Sequence, residues 1–319
     1  MQTKREEMLS DIKPCLKWAG GKRALLKDIY ELVPQQFNKY YEPFFGGGAL
    51  FFALLPKRAI ISDLNEDLIN VYKQIKENAD MLIEKLKKTK NTKDFYLKMR
   101  STVFDDDIDK AVRFIYLNKT CWNGLYRVNS KGEFNVPFAN YKNPTICNEE
   151  LLKNLSNSLK NVKILTGDFE KILKTAKNGD FVYLDPPYTV THSKNFVAYN
   201  SKIFSWEDQV RLVNLVDKLT EKGVKVLVSN AKAPEIKKLY KNYKSKVVER
   251  TSVISADISK RNVVEEYLFY NYKLKWISTK EKQSKCLIKN VKGLFCFFIW
   301  MIKYINNILN SKEKKWENL

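Results

Sequence analysis

The chain has 319 residues, 44% of them hydrophobic, a net charge of +21, five cysteines and a single histidine. That is enough apolar material for one large or two modest cores, and the basic excess favours a polyanionic partner, nucleic acid first. The lone His192 excludes multi-histidine metal sites and argues against histidine-based triads, while Cys15, Cys121, Cys147, Cys286 and Cys296 form no C-x-x-C pair, which excludes a zinc framework and reads as reduced thiols in a cytoplasmic protein.

The first residues, MQTKREEMLS, are charged and lack the apolar stretch of a secretory leader. YYEPFFGGGALFFALL then reads as strand, glycine turn and helix. Gly46, Gly47 and Gly48 allow backbone to approach a ligand, and a following helix N-terminus attracts negative or polar groups. The turn does not match G-x-G-x-x-G, because Phe51 stands at the last position. AGGKRALL is no P-loop, because Arg23 follows Lys22. RAIISDLN predicts a second strand ending on Asp63, an acid that suits a ribose diol, or that caps the helix starting near Asn65. EDLINVYKQIKENADMLIEKLKK predicts one long amphipathic helix.

From about 90 to 155 aromatic, Asn, Gly and basic residues accumulate. DIDKAVRFIYLNKTCWNGLYRVNSKGEFNVPFANYKNP predicts a helix followed by a small hairpin turning at Ser130–Gly132. Lys119, Arg127, Lys131 and Lys142 alternate there with Trp122, Tyr126, Phe134 and Tyr141, the mixture expected of a separate recognition lobe. Strand and helix then alternate again through VKILTGDFEKIL, DFVYLDPPY, DQVRLVNLVDKLTEKGVKVLVSNA and VVEEYLFYNY, so the class is α/β with a mostly parallel sheet interrupted by the lobe. Residues 273–319 hold eleven lysines and three glutamates, +8 of the total charge. Their longest apolar run, Leu294–Ile302, is far short of the ~20 residues that span a bilayer. This tail has no assigned role.

FVYLDPPY ends an apolar strand on Asp185. Pro186 and Pro187 lack N–H groups and stiffen the turn. A carboxylate beside a carbonyl makes two acceptors at a fixed separation, which matches the two hydrogens of an amino group on an aromatic ring. Tyr188 offers a face on which that ring can stack. The arrangement suits alkylation of an exocyclic amine, a reaction that depends on positioning. An ordinary strand-ending turn is the plainer alternative.

KWAGGKRALL, EPFFGGGALFF, ISDLNEDLIN, NGLYRVNSKGEFNVPF, GDFE, VYLDPPY and VSNA occur in the order found in one family. Over roughly residues 14–270 the sequence resembles the Dam-type, D12-class DNA adenine-N6 methyltransferases, especially those paired with GATC-cutting restriction enzymes of the DpnII and MboI kind. The resemblance implies a Rossmann-like catalytic domain over 1–70 and 155–272, a mainly helical target-recognition domain over 71–154, and S-adenosylmethionine as cofactor. It implies cofactor contacts at Trp18, Lys22, Phe45, Gly46, Gly48, Asp63, Asp168, Phe169 and Asp185, and catalytic roles for Asp185, Pro186 and Tyr188. Leu125, Arg127, Asn129 and Pro137 are implied to touch double-stranded DNA, with Arg127 suited to guanine O6 and N7. A separate cognate endonuclease, a restriction-modification role, and bacterial or phage origin follow from the same resemblance. An amine methyltransferase acting on RNA and a catalytically dead DNA-binding module are the competing readings.

Overall fold

The computed structural model describes residues 10–188, 204–251 and 263–274. Seven strands, β1 (Tyr40–Glu42), β2 (Ala59–Asp63), β3 (Val162–Thr166), β4 (Phe181–Leu184), β5 (Lys225–Ala231), β6 (Lys244–Thr251) and β7 (Val263–Tyr270), form one sheet in the order β3-β2-β1-β4-β5-β7-β6. The first five run parallel, and β7 is antiparallel to both β5 and β6. Strand order reverses between β1 and β4, which opens a crevice at their carboxyl ends, the place where open α/β sheets bind ligands. The architecture is the Rossmann-like α/β sheet expected, with an antiparallel strand at one side.

Continuous apolar runs explain the central strands, since β1 and β4 are buried at every position. Helix α1 (Leu26–Leu32) precedes β1, and α2 (Ala49–Leu54) follows the glycine turn. Between β2 and β3 lie α3 (Glu66–Glu77), α4 (Ala79–Lys87), α5 (Lys93–Ser101), α6 (Asp107–Thr120) and α7 (Glu149–Leu159). The single long helix expected over 66–88 is therefore two. Asn78 leaves helical geometry (φ −133°, ψ 36°) and joins them, which lets α6 pack on both and α7 do the same. The expected domain limits at 70/71 and 154/155 fall inside α3 and α7.

The short α8 (Phe169–Leu173) follows β3, α9 (Trp206–Glu221) precedes β5, and α10 (Pro234–Leu239) precedes β6. Ser205 starts α9 with a reciprocal capping box to Asp208. Leu212, Val213, Val216 and Leu219 of α9 bury against Val182, Leu184, Val226 and Val228 of the sheet. Each such side chain contributes about 1.5–3 kcal/mol relative to exposure. Strand β6 is absent from the expected elements.

The compact unit closes at Tyr272. His192, Cys286, Cys296 and the run Leu294–Ile302 lie outside the described residues. Among the described residues, no helix is long and apolar enough to cross a membrane.

Candidate active site

The crevice begins at the glycine turn between β1 and α2. Phe45 N–H donates to the Ser62 carbonyl and Gly48 N–H to the Phe45 carbonyl, so the turn is tied to β2 and to itself. Gly48 has φ +68°, and a Cβ there would lie 2.4 Å from Phe45 Cζ, so only glycine fits. The Phe45 ring points into the core against Tyr72, 4.7 Å between centroids, leaving its backbone at the site. Asp63, at the end of β2, accepts from Gly46 N–H and Asn65 N–H, each at 3.0 Å. Burial raises its proton affinity, and these backbone donors oppose the rise. Asn65, not Asp63, caps α3 by accepting from Leu68 N–H. The acid is thus free of the capping role that sequence left open.

Trp18 covers the same turn: a Cβ on Gly46 would meet its Cδ1 at 2.7 Å. Its indole stacks on Tyr126, 5.9 Å between centroids, and Tyr126 stacks on Phe114 at 4.9 Å. Tyr126 also donates to Asp67 at the start of α3. The glycine turn and the basic, aromatic hairpin are therefore neighbours through one stack of rings.

Asp185 follows β4 directly, at the carboxyl edge of the crevice. Lys22 Nζ stands 2.8 Å from its Oδ1, and Lys22 is 3% exposed. The two form a close ion pair. Lys22 also donates to the Gly20 carbonyl at 2.8 Å. Its ammonium also lies over the Tyr188 ring, 4.8 Å from the centroid. Burial pushes the Asp185 carboxyl up to about 6, with Lys22 pulling it back. A buried acid, Glu42 of β1, accepts from Tyr40 OH at 2.8 Å. Burial raises its proton affinity as well, with a smaller push from Asp185.

The turn after Asp185 is braced from behind. Gln209 of α9 donates to the Pro187 carbonyl at 3.4 Å and accepts from Asn230 Nδ2 at 3.0 Å. Gln209 and Asn230 are fully buried, so the relay is screened from water. This explains the asparagine of VSNA, and Gln209 was not anticipated. Pro186 is buried between Asp185 and this brace.

Asp168 caps α8, and both its oxygens also accept from Arg211 Nη2, at 3.2 and 3.1 Å. The Phe169 ring is buried against Phe44 and Phe204, with the Arg211 guanidinium 4.9 Å from its centroid. Gly167 N–H donates to the Asp63 carbonyl at 3.1 Å, which brings the GDFE turn to the end of β2.

The hairpin forms as its residues predict. Val128 bridges Phe134, and Cys121 bridges Phe138. Gly132 takes φ +79° at the tip. Arg127 is exposed and donates from Nε to Asn135 at 2.8 Å. Asn129 donates to the Glu133 side chain and accepts from Lys131 and Glu133 N–H, which fixes the turn. Leu125 is half-buried and Pro137 exposed, the latter accepting from Trp122 N–H. Sequence reasoning missed Asn118, which is 3% exposed and joins the KWAGGK segment to the hairpin. It also missed Glu266, fully buried on β7, to which Tyr188 OH donates at 2.6 Å.

The crevice thus brings together Trp18, Lys22, the glycine turn, Asp63, Asp185 and Tyr188, with the hairpin beside it. Residues 18–254 match the model of the D12 class N6 adenine-specific DNA methyltransferases. The chain is 45% identical over 273 residues to the type II methyltransferase M1.LlaDCHI of Lactococcus lactis subsp. cremoris, covering 82% of this chain and 96% of that one. It is 42% identical over 288 residues to the type II methyltransferase M.MjaIII of Methanocaldococcus jannaschii, covering 82% of this chain and 100% of that one. It is 34% identical over 260 residues to the DNA adenine methylase of Escherichia coli K12, covering 79% and 93%. With most of its length matched and its strand-end acids, glycine turn and hairpin arranged around one crevice, the chain belongs to the D12 class of N6 adenine-specific DNA methyltransferases.

Proposed function

We propose that the chain uses S-adenosylmethionine to methylate N6 of an adenine flipped out of duplex DNA, within GATC. The junction at the end of β4 carries this reading: a half-buried Asp185 at the carboxyl edge of the crevice, paired with Lys22, two residues before Pro187 and three before the Tyr188 ring. The lone pair of an adenine amine is delocalised into the ring. Asp185 and the Pro186 carbonyl accept its two hydrogens and favour a pyramidal nitrogen, while Tyr188 holds the base plane. As the N–CH3 bond forms and the donor's S–CH3 bond breaks, one amine proton passes to Asp185, whose raised proton affinity suits it to receive one.

The residues fit the cofactor. It supplies an electrophilic methyl on a sulfonium. Asp63 is the acceptor for the ribose hydroxyls, with its orientation set by Gly46 and Asn65 N–H. Gly46 and Gly48 keep the turn free of side chains, and Trp18 roofs it. Lys22 and Asp185 face the methionine end. Asp168 and Phe169 flank the adenine, with Arg211 holding the Asp168 carboxylate in place.

A base inside a duplex cannot reach Asp185, so it must be extruded. Residues 71–154 are the DNA-reading part, with Leu125, Arg127, Asn129 and Pro137 at the target and Arg127 on guanine. The charge of +21 supports grip on the backbone. The type II methyltransferases among the relatives support a restriction-modification role in a bacterial or phage-encoded system, protecting cytoplasmic DNA from a separate endonuclease.

The test is to express the chain in a host lacking adenine methylation and to map N6-methyladenine by sequencing. Full modification of GATC by wild type, and none by Asp185→Ala, is expected. Modification of another sequence rejects GATC alone. Soluble wild type that leaves no methyladenine rejects the activity.

A further inference from the structure

Glu266 lies on β7, in register with Ala231 of β5 and Val248 of β6, and is fully buried. A buried carboxylate is costly unless charges and donors surround it. Its Oε2 accepts from Tyr188 OH at 2.6 Å, its Oε1 from Arg250 Nε, and Lys22 Nζ is 3.7 Å from Oε2. Lys22 is at the same time 2.8 Å from Asp185 and over the Tyr188 ring. Two acids and two cations therefore form one closed group around the Tyr188 ring.

We infer that Glu266 is a positioning residue for methyl transfer: it fixes the Tyr188 ring through the hydroxyl and shares Lys22 with Asp185. The inference rests on the roles given to Asp185 and Tyr188 under the proposed function. With the hydroxyl tethered and the Lys22 ammonium over the ring, the plane of the ring is fixed, which is what stacking a base on it requires. The shared cation matters as much. If Lys22 answered to Asp185 alone, it would draw electron density from the acceptor that must take the amine's hydrogens. The charged and titratable groups facing Glu266 are Lys22 from the segment after the Gly20–Gly21 turn, Asp185 and Tyr188 from the turn after β4, Tyr183 of β4, and Arg250 of β6.

Glu266→Gln tests the charge while keeping an acceptor for Tyr188, and Tyr188→Phe tests the tether while keeping the ring. Single-turnover methylation of duplex DNA is measured against pH with saturating S-adenosylmethionine, for the full chain. Glu266→Gln is expected to move the acid limb of the rate down by ~0.5 pH unit or more, because a like charge beside Asp185 is gone. Tyr188→Phe is expected to lower the rate about tenfold with little change in DNA affinity, the pattern of an interaction made in the transition state. An unmoved acid limb in folded Glu266→Gln overturns the shared-cation role, and a wild-type rate in Tyr188→Phe overturns the tether. If Glu266→Gln does not fold, Tyr188→Phe alone decides. An active Asp185→Ala enzyme would instead overturn the underlying site assignment.

Discussion

Asn118 holds Lys17 by both of its backbone groups, accepting from Lys17 N–H at 3.0 Å and donating to the Lys17 carbonyl at 2.8 Å. The same amide nitrogen donates to the Gly124 carbonyl at 3.0 Å. One buried side chain therefore fixes the segment bearing Trp18 and Lys22 against the start of the hairpin. Replacing it with alanine leaves three buried or half-buried backbone groups without partners. Asn118→Ala is expected to cost roughly 2–4 kcal/mol. It should weaken binding of S-adenosylmethionine and discrimination among DNA sites together. Urea unfolding, calorimetric titration with the cofactor and methylation of mismatched sites check this, and loss of only one of the two binding functions would contradict it.

The glycine turn tolerates no side chain at Gly48. Its φ is +68°, and a Cβ would meet Phe45 Cζ at 2.4 Å and Phe52 Cε2 at 2.9 Å. Left-handed backbone strain and ring overlap add to about 2–4 kcal/mol in Gly48→Ala. A lowered urea midpoint with an unchanged m-value is the expected record.

Asp185 links stability to pH. Its carboxyl titrates near 6 in the folded chain and near 3.9 when unfolded. The folded state therefore keeps the proton longer, and the stabilising contribution, complete below pH ~4, is lost as pH rises through about 6. Under the proposed mechanism, in which the ionised form accepts the amine's hydrogens, activity runs the other way: the rate should fall as pH drops through that value. Asp185→Asn should remove this contribution from the pH dependence of unfolding, which denaturation at several pH values between 4 and 7.5 measures. An identical pH dependence in the variant would count against the raised value.

Arg127 is exposed, and Asn135 steadies its guanidinium. Arg127→Ala is expected to lose about 1–3 kcal/mol of discrimination at one guanine while leaving nonspecific binding nearly intact. Methylation rates on GATC and its single-base variants report the change. An unchanged ranking of sites would remove Arg127 from the reading of sequence.

Much of the sheet was legible because its parallel strands are short, mostly apolar segments followed by turn residues or acids. The structure puts the β1–α2 turn, Asp63, the GDFE turn and Asp185 at the ends of such strands, as the sequence suggested. Strand β6 escaped because KSKVVERT is mostly charged and polar around one valine pair, a composition that discourages unwanted pairing at a sheet edge, and β6 is at the edge of the sheet. The break at Asn78 escaped because apolar spacing continues through it, and only the packing of α6 and α7 shows why two helices serve. Gln209 and Glu266 escaped for a different reason. Polar residues in amphipathic helices and strands read as solvent-facing, and nothing local reveals that both are buried.

The reversed direction of β7 has a consequence for how the enzyme comes into being. Because β7 runs against β5, its early residue Glu266 arrives beside the carboxyl ends of the parallel strands. A nascent chain that has emerged only through β6 already contains Asp185, Tyr188 and Lys22, but not the carboxylate to which the Tyr188 hydroxyl donates. Domains fold as they leave the ribosome, so the parallel part of the sheet can assemble first, with the Tyr188 hydroxyl untethered until β7 slots between β5 and β6. Anchoring of the Tyr188 hydroxyl then waits for the strand nearest the end of the unit, so a chain that stops after β6 lacks that anchor.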